Sequence, residues 1–338
     1  MQSETWQQLL ALETRDAVSS WHKKLFGREL NVRRIVEITS AAKQAREFFR
    51  NAEEANNSVR PLLGFYGVAS LSRAGLLLLK PDTGEASLVA GHGLSAIDWR
   101  STLGGEISNG LSVLDTLQIE TCSGLFTDFL RQTNNQVCMH IQSSAVDWRL
   151  NYELPATGIR ISLKDLLTRL PDLSSYLSTA ASRNIASVNS MDYAPEGGFT
   201  AKVTANQFAP FADRFTSLGY TTSQEASLVV IKADAATFSR NQPQFVHAYV
   251  KKTFGSIPGL YIAPPFGDST RYSQLAMTYM LSYFLGMLTR YFPTQWVALA
   301  SGAKGDEIWP AINAAQRYIE SSFPELILEL ILDRVAQN

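Results

Sequence analysis

The sequence predicts a mainly helical protein with a small α+β insert, its helical bundle formed by the N- and C-terminal parts of the chain. Three observations carry this. Apolar residues recur at helical spacing near both ends. The stretch 61–79 is apolar nearly all the way round, as in a helix enclosed by others. Between the ends, short β-branched runs such as Val229-Val230-Ile231 are bounded by Gly, Pro and Asp. The expected division is 1–150 for the first part of the bundle, 151–265 for the insert and 266–338 for the helices that complete the bundle.

Residues 4–26 predict an amphipathic helix, with Trp6, Leu9, Leu10, Leu12, Val18 and Trp21 as its apolar stripe and Gly27 as its stop. A second helix is expected over 35–54, where Ile35, Ile38, Ala41, Ala45 and Phe48-Phe49 recur, followed by a break at Asn56-Asn57-Ser58. Pro61 suits the first turn of the apolar helix, and Pro81-Asp82-Thr83-Gly84 is a turn. Ala90-Gly91-His92-Gly93-Leu94 predicts a Gly-flanked loop. Residues 160–185 carry Leu163, Leu166, Leu167 and Leu170 at helical spacing, while 200–204, 227–233 and 260–263 predict strands. A long apolar helix is expected over 270–291, with Trp296 to Leu299 continuing its packing. Asp306 can cap a helix running to about 321 with Pro310 in its first turn. Pro324 can open a last one. Neither an internal repeat nor a low-complexity segment is visible.

A chain of 338 residues, 45% apolar and 18% charged, buries a sizeable core, which excludes disorder for most of it. A net charge of -1 excludes the broad basic surface of a protein that coats a duplex, leaving only a local patch open. The two cysteines, Cys122 and Cys138, form no CxxC and no disulfide framework, which fits a reducing compartment. Residues 1–10 are polar, without the apolar core of a signal peptide. The apolar stretches 62–79 and 275–288 are broken by Ser, Arg, Tyr and Gly, so buried helices are expected rather than membrane spans. A cytoplasmic location without membrane contact follows as the expectation.

Several segments together resemble the YaaC-like family of bacterial proteins. They are Trp6…Leu9-Leu10…Leu12-Glu13, Arg60-Pro-Leu-Leu-Gly-Phe-Tyr-Gly67, Ala90-Gly-His-Gly-Leu94, and Leu285-Gly-Met-Leu-Thr-Arg-Tyr-Phe-Pro293…Trp296…Ser301-Gly-Ala-Lys-Gly-Asp306…Phe323-Pro324. The resemblance spans both ends of the chain and implies a fold group more than a reaction. More widely, the helix 61–79 followed by His92 is similar to part of the HEPN superfamily. That similarity implies an all-helical bundle, either a dimeric metal-independent ribonuclease with an Arg-x4-6-His motif or an inactive binding module. Such a nuclease needs a His to move a proton and an Arg to stabilise phosphate charge. Arg15…His22 and Arg240…His247 match that spacing, while the late helix around Arg290 departs from the pattern by having no His.

His92 is either a polar group presented at a Gly-permitted turn, beside Arg73 or Tyr66, or a structural histidine bonded to a loop carbonyl. Arg73 and Arg290 are lone cations on apolar helices. Each is a snorkelling or paired side chain or an anion-binding one, and at the end of its helix Arg290 also complements the helix dipole. Ser301-Gly-Ala-Lys304-Gly-Asp306 either cradles a phosphate at a helix N-terminus or is a capped turn, and it is not a Walker A sequence. Lys23-Lys24, Arg28 and Arg33-Arg34 are a local basic run, which reads as a solvated face or a nucleic-acid contact. Cys122 with Cys138-Met-His140 lacks the paired spacing of a zinc site, so no metal is expected, and no cofactor motif is present. Trp296, Trp309, Tyr318 and Phe323 are candidate interface anchors or core residues.

The leading expectation is a non-catalytic interaction or regulatory protein acting through a protein partner or a homodimer. A HEPN-type metal-independent ribonuclease, with RNA as its substrate and a toxic or defensive role, is the alternative, with His92, Arg73, Arg15 with His22, or Arg240 with His247 as working groups. A small-anion or nucleotide sensor using Arg73, His92, Arg290 and Lys304 is the third.

Overall fold

The computed structural model describes residues 4–82, 84–137, 146–177, 184–247, 252–253, 257–258, 260–267 and 269–337, with side chains at 174–175, 244–247, 252–253 and 257–258 left out. The chain is mostly helical with small antiparallel sheets, and it divides into two units. The first comprises Met1–Asn135, Leu154–Leu166 and Leu275–Asn338, and the second Gln136–Glu153 and Leu167–Gln274.

In the first unit the single helix expected over 4–26 is instead α1 (Glu4–Leu9), a 3-10 turn (Leu10–Glu13) and α2 (Arg15–Phe26). The break is at Thr14, whose backbone is extended and whose hydroxyl and amide both donate to the Ala11 carbonyl. The turn carries Leu12 into the core and sets Glu13 against Arg46, which donates through Nε at 2.6 Å. α2 stops at Gly27, whose φ of 67° is a left-handed cap.

The helix α3 (Val32–Glu54) starts at Asn31, whose side chain accepts from the Arg34 amide. α4 (Arg60–Leu79) is buried over most of its surface, as its composition demands. It has the length and hydropathy of a membrane span, yet 72% of that window is buried within the protein, the setting of a core helix. A Cβ on Gly67 would lie 2.8 Å from the Phe49 ring, so this glycine permits the close approach of α3 and α4. The carbonyls at and just beyond the C-terminus of α4 are taken up by the half-buried Arg34 guanidinium, which donates to Leu77, Lys80 and Pro81.

The strands β1 (His92–Ile97), β2 (Gln118–Gly124) and β3 (Arg160–Ser162) form an antiparallel sheet with β2 in the middle. The loop expected at 90–94 is therefore the start of a strand. Of the helix expected over 160–185, the described residues hold α8 (Leu163–Arg169) and a 3-10 turn over Pro171–Tyr176, while Arg160–Ser162 is β3. The short helices α5 (Trp99–Leu103), α6 (Ile107–Ser112) and α7 (Leu125–Gln132) flank the first two strands.

In the second unit a six-stranded antiparallel sheet has the order β6-β7-β5-β4-β11-β8. Its members are β4 (Ala186–Ala194), β5 (Gly198–Thr204), β6 (Thr221–Glu225), β7 (Leu228–Ala233), β8 (Val246–His247) and β11 (Leu260–Ile262). The pair β9 (Lys252–Thr253) and β10 (Ile257–Pro258) stands apart. The strands expected at 200–204, 227–233 and 260–263 are β5, β7 and β11. Against the sheet lie α9 (Ala205–Phe208), α10 (Ala212–Ser217) and α11 (Ala235–Phe245), where Phe238 stacks on Phe199 with ring centres 4.2 Å apart.

The chain then returns to the first unit through α12 (Gln274–Tyr291), α13 (Pro293–Ala300) and α14 (Trp309–Ala336). The two helices expected at the end are one, with Pro324 inside it. An interior proline costs about 3 kcal/mol. The apolar stripe Ala311, Ile312, Ala315, Ile319, Phe323, Ile327, Leu330 and Ile331 runs unbroken across it, and each large side chain buried returns about 1.5–3 kcal/mol. Trp296 and Phe323 are fully buried and Tyr318 nearly so, which makes these aromatics core residues rather than interface anchors.

Candidate functional site

Helix geometry puts Tyr66 and Arg73 of α4 on one face, seven residues apart, and both stay half-exposed on an otherwise buried helix. On α12, Tyr279, Tyr283, Gly286 and Arg290 form a second stripe at spacings of four and three. The two helices cross at Gly286, where a Cβ would lie 2.7 Å from that of Phe65. This crossing brings Arg290 to Tyr66, 224 positions away in sequence, and Arg290 Nη1 donates to the Tyr66 hydroxyl oxygen at 3.1 Å. The hydroxyl keeps its own proton to donate elsewhere.

His92 opens β1 beside them. Gly91 and Gly93 on either side have φ of 89° and 79°, and Gly124 opposite has 150°. A Cβ on Gly93 would lie 2.8 Å from the Phe126 amide nitrogen, so here glycine is required by conformation and by space. The backbone carbonyl of His92 accepts from the Tyr279 hydroxyl at 3.4 Å. Its ring meets Phe65 edge-on at 5.0 Å and lies 6.0 Å from Tyr283. Among the described residues neither ring nitrogen has a hydrogen-bond partner. Burial pushes its pKa below the usual histidine value, and the positive charges of Arg290 and Arg73 push it the same way.

The two arginines are not equivalent. Arg73 donates to Glu85 at 3.3 Å across a half-exposed gap, while its Nε is enclosed without a partner. Arg290 has no carboxylate within salt-bridge distance among the described residues. Its guanidinium carbon lies 5.1 Å from the ring centre of Tyr291, a side chain 61% exposed. Behind them burial holds the Tyr279 phenol above its usual range and pushes that of Tyr283 up to about 12. Burial, then Glu120, raises the thiol of Cys122. These groups are neutral at physiological pH, so Arg290 and Arg73 are the fixed charges around His92. The arrangement can hold an anion against Arg290, with His92 and the Tyr66 hydroxyl as further donors.

Of the sequence-predicted residues, Arg73 and Arg290 both come within electrostatic reach of His92. The others do not join them. His22 is the histidine held by a loop carbonyl, with Nδ1–H donating to Arg28 at 3.0 Å and Nε2 enclosed without a partner. Arg15 is exposed while His22 is 1% exposed, so their spacing yields no catalytic pair. Arg240 is exposed on α11, and the side chain of His247 lies outside the described residues, as do Cys138 and His140. Lys304 is exposed in a turn that packs against α6, where a Cβ on Gly305 would lie 2.9 Å from the Ser108 carbonyl, and nothing joins it to Arg290. In the basic run, Lys23, Arg28 and Arg33 pair with Glu29, Asp82 and Glu37, and Arg34 turns inward. No cluster of metal-ligating side chains exists among the described residues.

Sequence reasoning missed Tyr279, Tyr283 and Tyr291. The available signal was the register of Tyr279 and Tyr283 with Arg290 on α12 and the adjacency of Tyr291 to it.

A family model described as YaaC-like Protein matches residues 4–331. No curated protein and no solved structure matches the chain.

Proposed function

The chain belongs to the YaaC-like family, and from that premise we propose that it is a non-catalytic binding and regulatory protein whose ligand is an anion held by Arg290, His92 and Tyr66. One observation carries this reading. Among the described residues Arg290 has no acidic partner and donates to the Tyr66 hydroxyl, and its charge acts on the half-buried His92, whose ring nitrogens have no hydrogen-bond partner there. Arg290 is exposed, and an accessible cation with two further donors beside it is what an incoming anion uses. Arg73, partly engaged by Glu85, adds positive potential at the rim.

The test is thermal unfolding with rising inorganic phosphate. A ligand at 100 times its Kd stabilises by about 2.7 kcal/mol. The wild-type protein is expected to gain stability with phosphate and Arg290→Gln to gain little. An equal gain in both, or none in the wild type, rules the reading out.

A second reading has one observation in its favour. His92 is held neutral beside Arg290, the state a general base needs, with a cation placed for phosphate charge. In a HEPN-type ribonuclease built on this pair, His92 takes the proton of a 2′-hydroxyl whose oxygen attacks the adjacent phosphorus, the P–O5′ bond breaks to leave a 2′,3′-cyclic phosphate, and the departing 5′-oxygen is protonated by water. The measurement is cleavage of a single-stranded RNA with a metal chelator present. Cleavage that disappears in His92→Ala supports it, and intact RNA with the wild-type protein removes it.

A further inference from the structure

We infer that the anion is the phosphate of a nucleoside phosphate, its base lying on the exposed ring of Tyr291. The inference rests on the anion reading above and names the ligand class. Two features of the site go beyond what a simple anion needs. The first is Tyr291, the last residue of α12, a large aromatic left 61% exposed directly beside the Arg290 guanidinium. The second is that the guanidinium lies 5.1 Å from the centre of that ring, so the cation and the aromatic face belong to one site rather than to two. Tyr66, whose hydroxyl accepts from Arg290, adds a second aromatic ring, 5.4 Å from Phe48.

A bare phosphate uses the donors and leaves the ring of Tyr291 wet. A carboxylate on a flexible aliphatic chain does the same. A nucleoside phosphate uses both, since it joins a dianion to a flat π-face through one sugar. Stacking on tyrosine tolerates any base because every base has such a face. Arg suits both halves, since its planar guanidinium forks onto phosphate oxygens and lies flat against rings. The ligand has two sources, a free nucleotide or the phosphorylated end of an RNA chain.

Calorimetric titration of the full chain distinguishes these. The probes are inorganic phosphate, adenosine 5′-monophosphate and a short 5′-phosphorylated oligoribonucleotide. The wild-type protein is expected to bind the monophosphate about tenfold or more tighter than phosphate, the scale of one base stacked on an aromatic side chain. Tyr291→Ala should bring the nucleotide down to the affinity of phosphate, and Tyr291→Phe should restore the increment because the ring and not the hydroxyl supplies it. If the oligonucleotide binds tighter still, the source is an RNA end. If it binds no tighter than the monophosphate, the source is the free nucleotide. Equal affinities for phosphate and nucleotide, or an increment that survives Tyr291→Ala, overturn the inference and leave the anion reading standing. Absence of binding by all three probes overturns both.

Discussion

Two buried or half-buried histidines have pKa values displaced the same way for different reasons. His22 is depressed first by burial, against the pull of its bond to the Arg28 carbonyl, and His92 by burial and two arginines. For both, the folded protein holds the proton less tightly than the unfolded chain does. Their contribution to stability is therefore complete above the unfolded value near 6.5 and is lost as pH falls through the folded values below it. Urea midpoints measured from about pH 7.5 down to about pH 5 are expected to fall, and to fall less in His22→Asn, which keeps a donor for the Arg28 carbonyl without titrating. A flat profile in the wild type contradicts this. Gly286→Ala drives a methyl into Phe65, and overpacking of this kind costs about 1–3 kcal/mol. Because Phe65 also backs the ring of His92, the variant should lose phosphate affinity as well as stability. The three residues of the site were each legible alone, His92 from its flanking glycines and Arg73 and Arg290 as lone charges on apolar helices. Their meeting was not legible, since periodicity describes one helix at a time and the crossing joins positions 66 and 290.

Among the elements, legibility followed the source of stability. α3, α4 and α12 announce themselves because burial of a repeated apolar face dominates their energetics. β5 and β7 announce themselves through β-branched runs. β1 and β2, His92–Ile97 and Gln118–Gly124, hold Gly, Ser, Gln and Glu and no such run, and they exist because they pair with each other. At Pro324 a local rule lost to tertiary burial, and at Thr14 local hydrogen bonding interrupted a stripe that spacing alone would continue. The end of α4 depends on a residue from another helix. Arg34→Ala strips the carbonyls of Leu77, Lys80 and Pro81 of their donor, and a loss of about 2–3 kcal/mol is expected in chemical denaturation. Arg34→Lys should recover only part of it, since a point ammonium cannot span three acceptors. Full recovery would show that charge at the helix end, not the fork, is what matters.

For the whole molecule, the first unit is assembled from residues at both ends of the chain. One tie is the half-buried pair of Arg60, at the start of α4, and Glu320 on α14, whose carboxylate accepts from Arg60 Nε at 2.7 Å. Glu320→Gln is expected to lower stability by about 1–3 kcal/mol, less than for a fully buried pair because water still reaches both groups. A change within error of zero would mean that apolar packing alone holds the two helices together. The composition that made a mainly helical chain with some β-structure legible is a property of whole segments and survives any rearrangement of their contacts. Which segments form one unit depends on contacts between distant positions, and a single sequence carries little trace of those.

The burial of α4 also has a consequence in time. Ribosomes add about 5–20 residues per second. About 200 residues separate the end of α4 from the start of α12, so α4 waits about 10–40 seconds for the helix that crosses it at Phe65. During that interval α3 is made and ready, but the side of α4 destined for α12 and α14 faces solvent as a nascent segment with the hydropathy of a membrane span. Slowing synthesis between residues 80 and 273 should raise the share that aggregates, with no change in the stability of the molecules that finish.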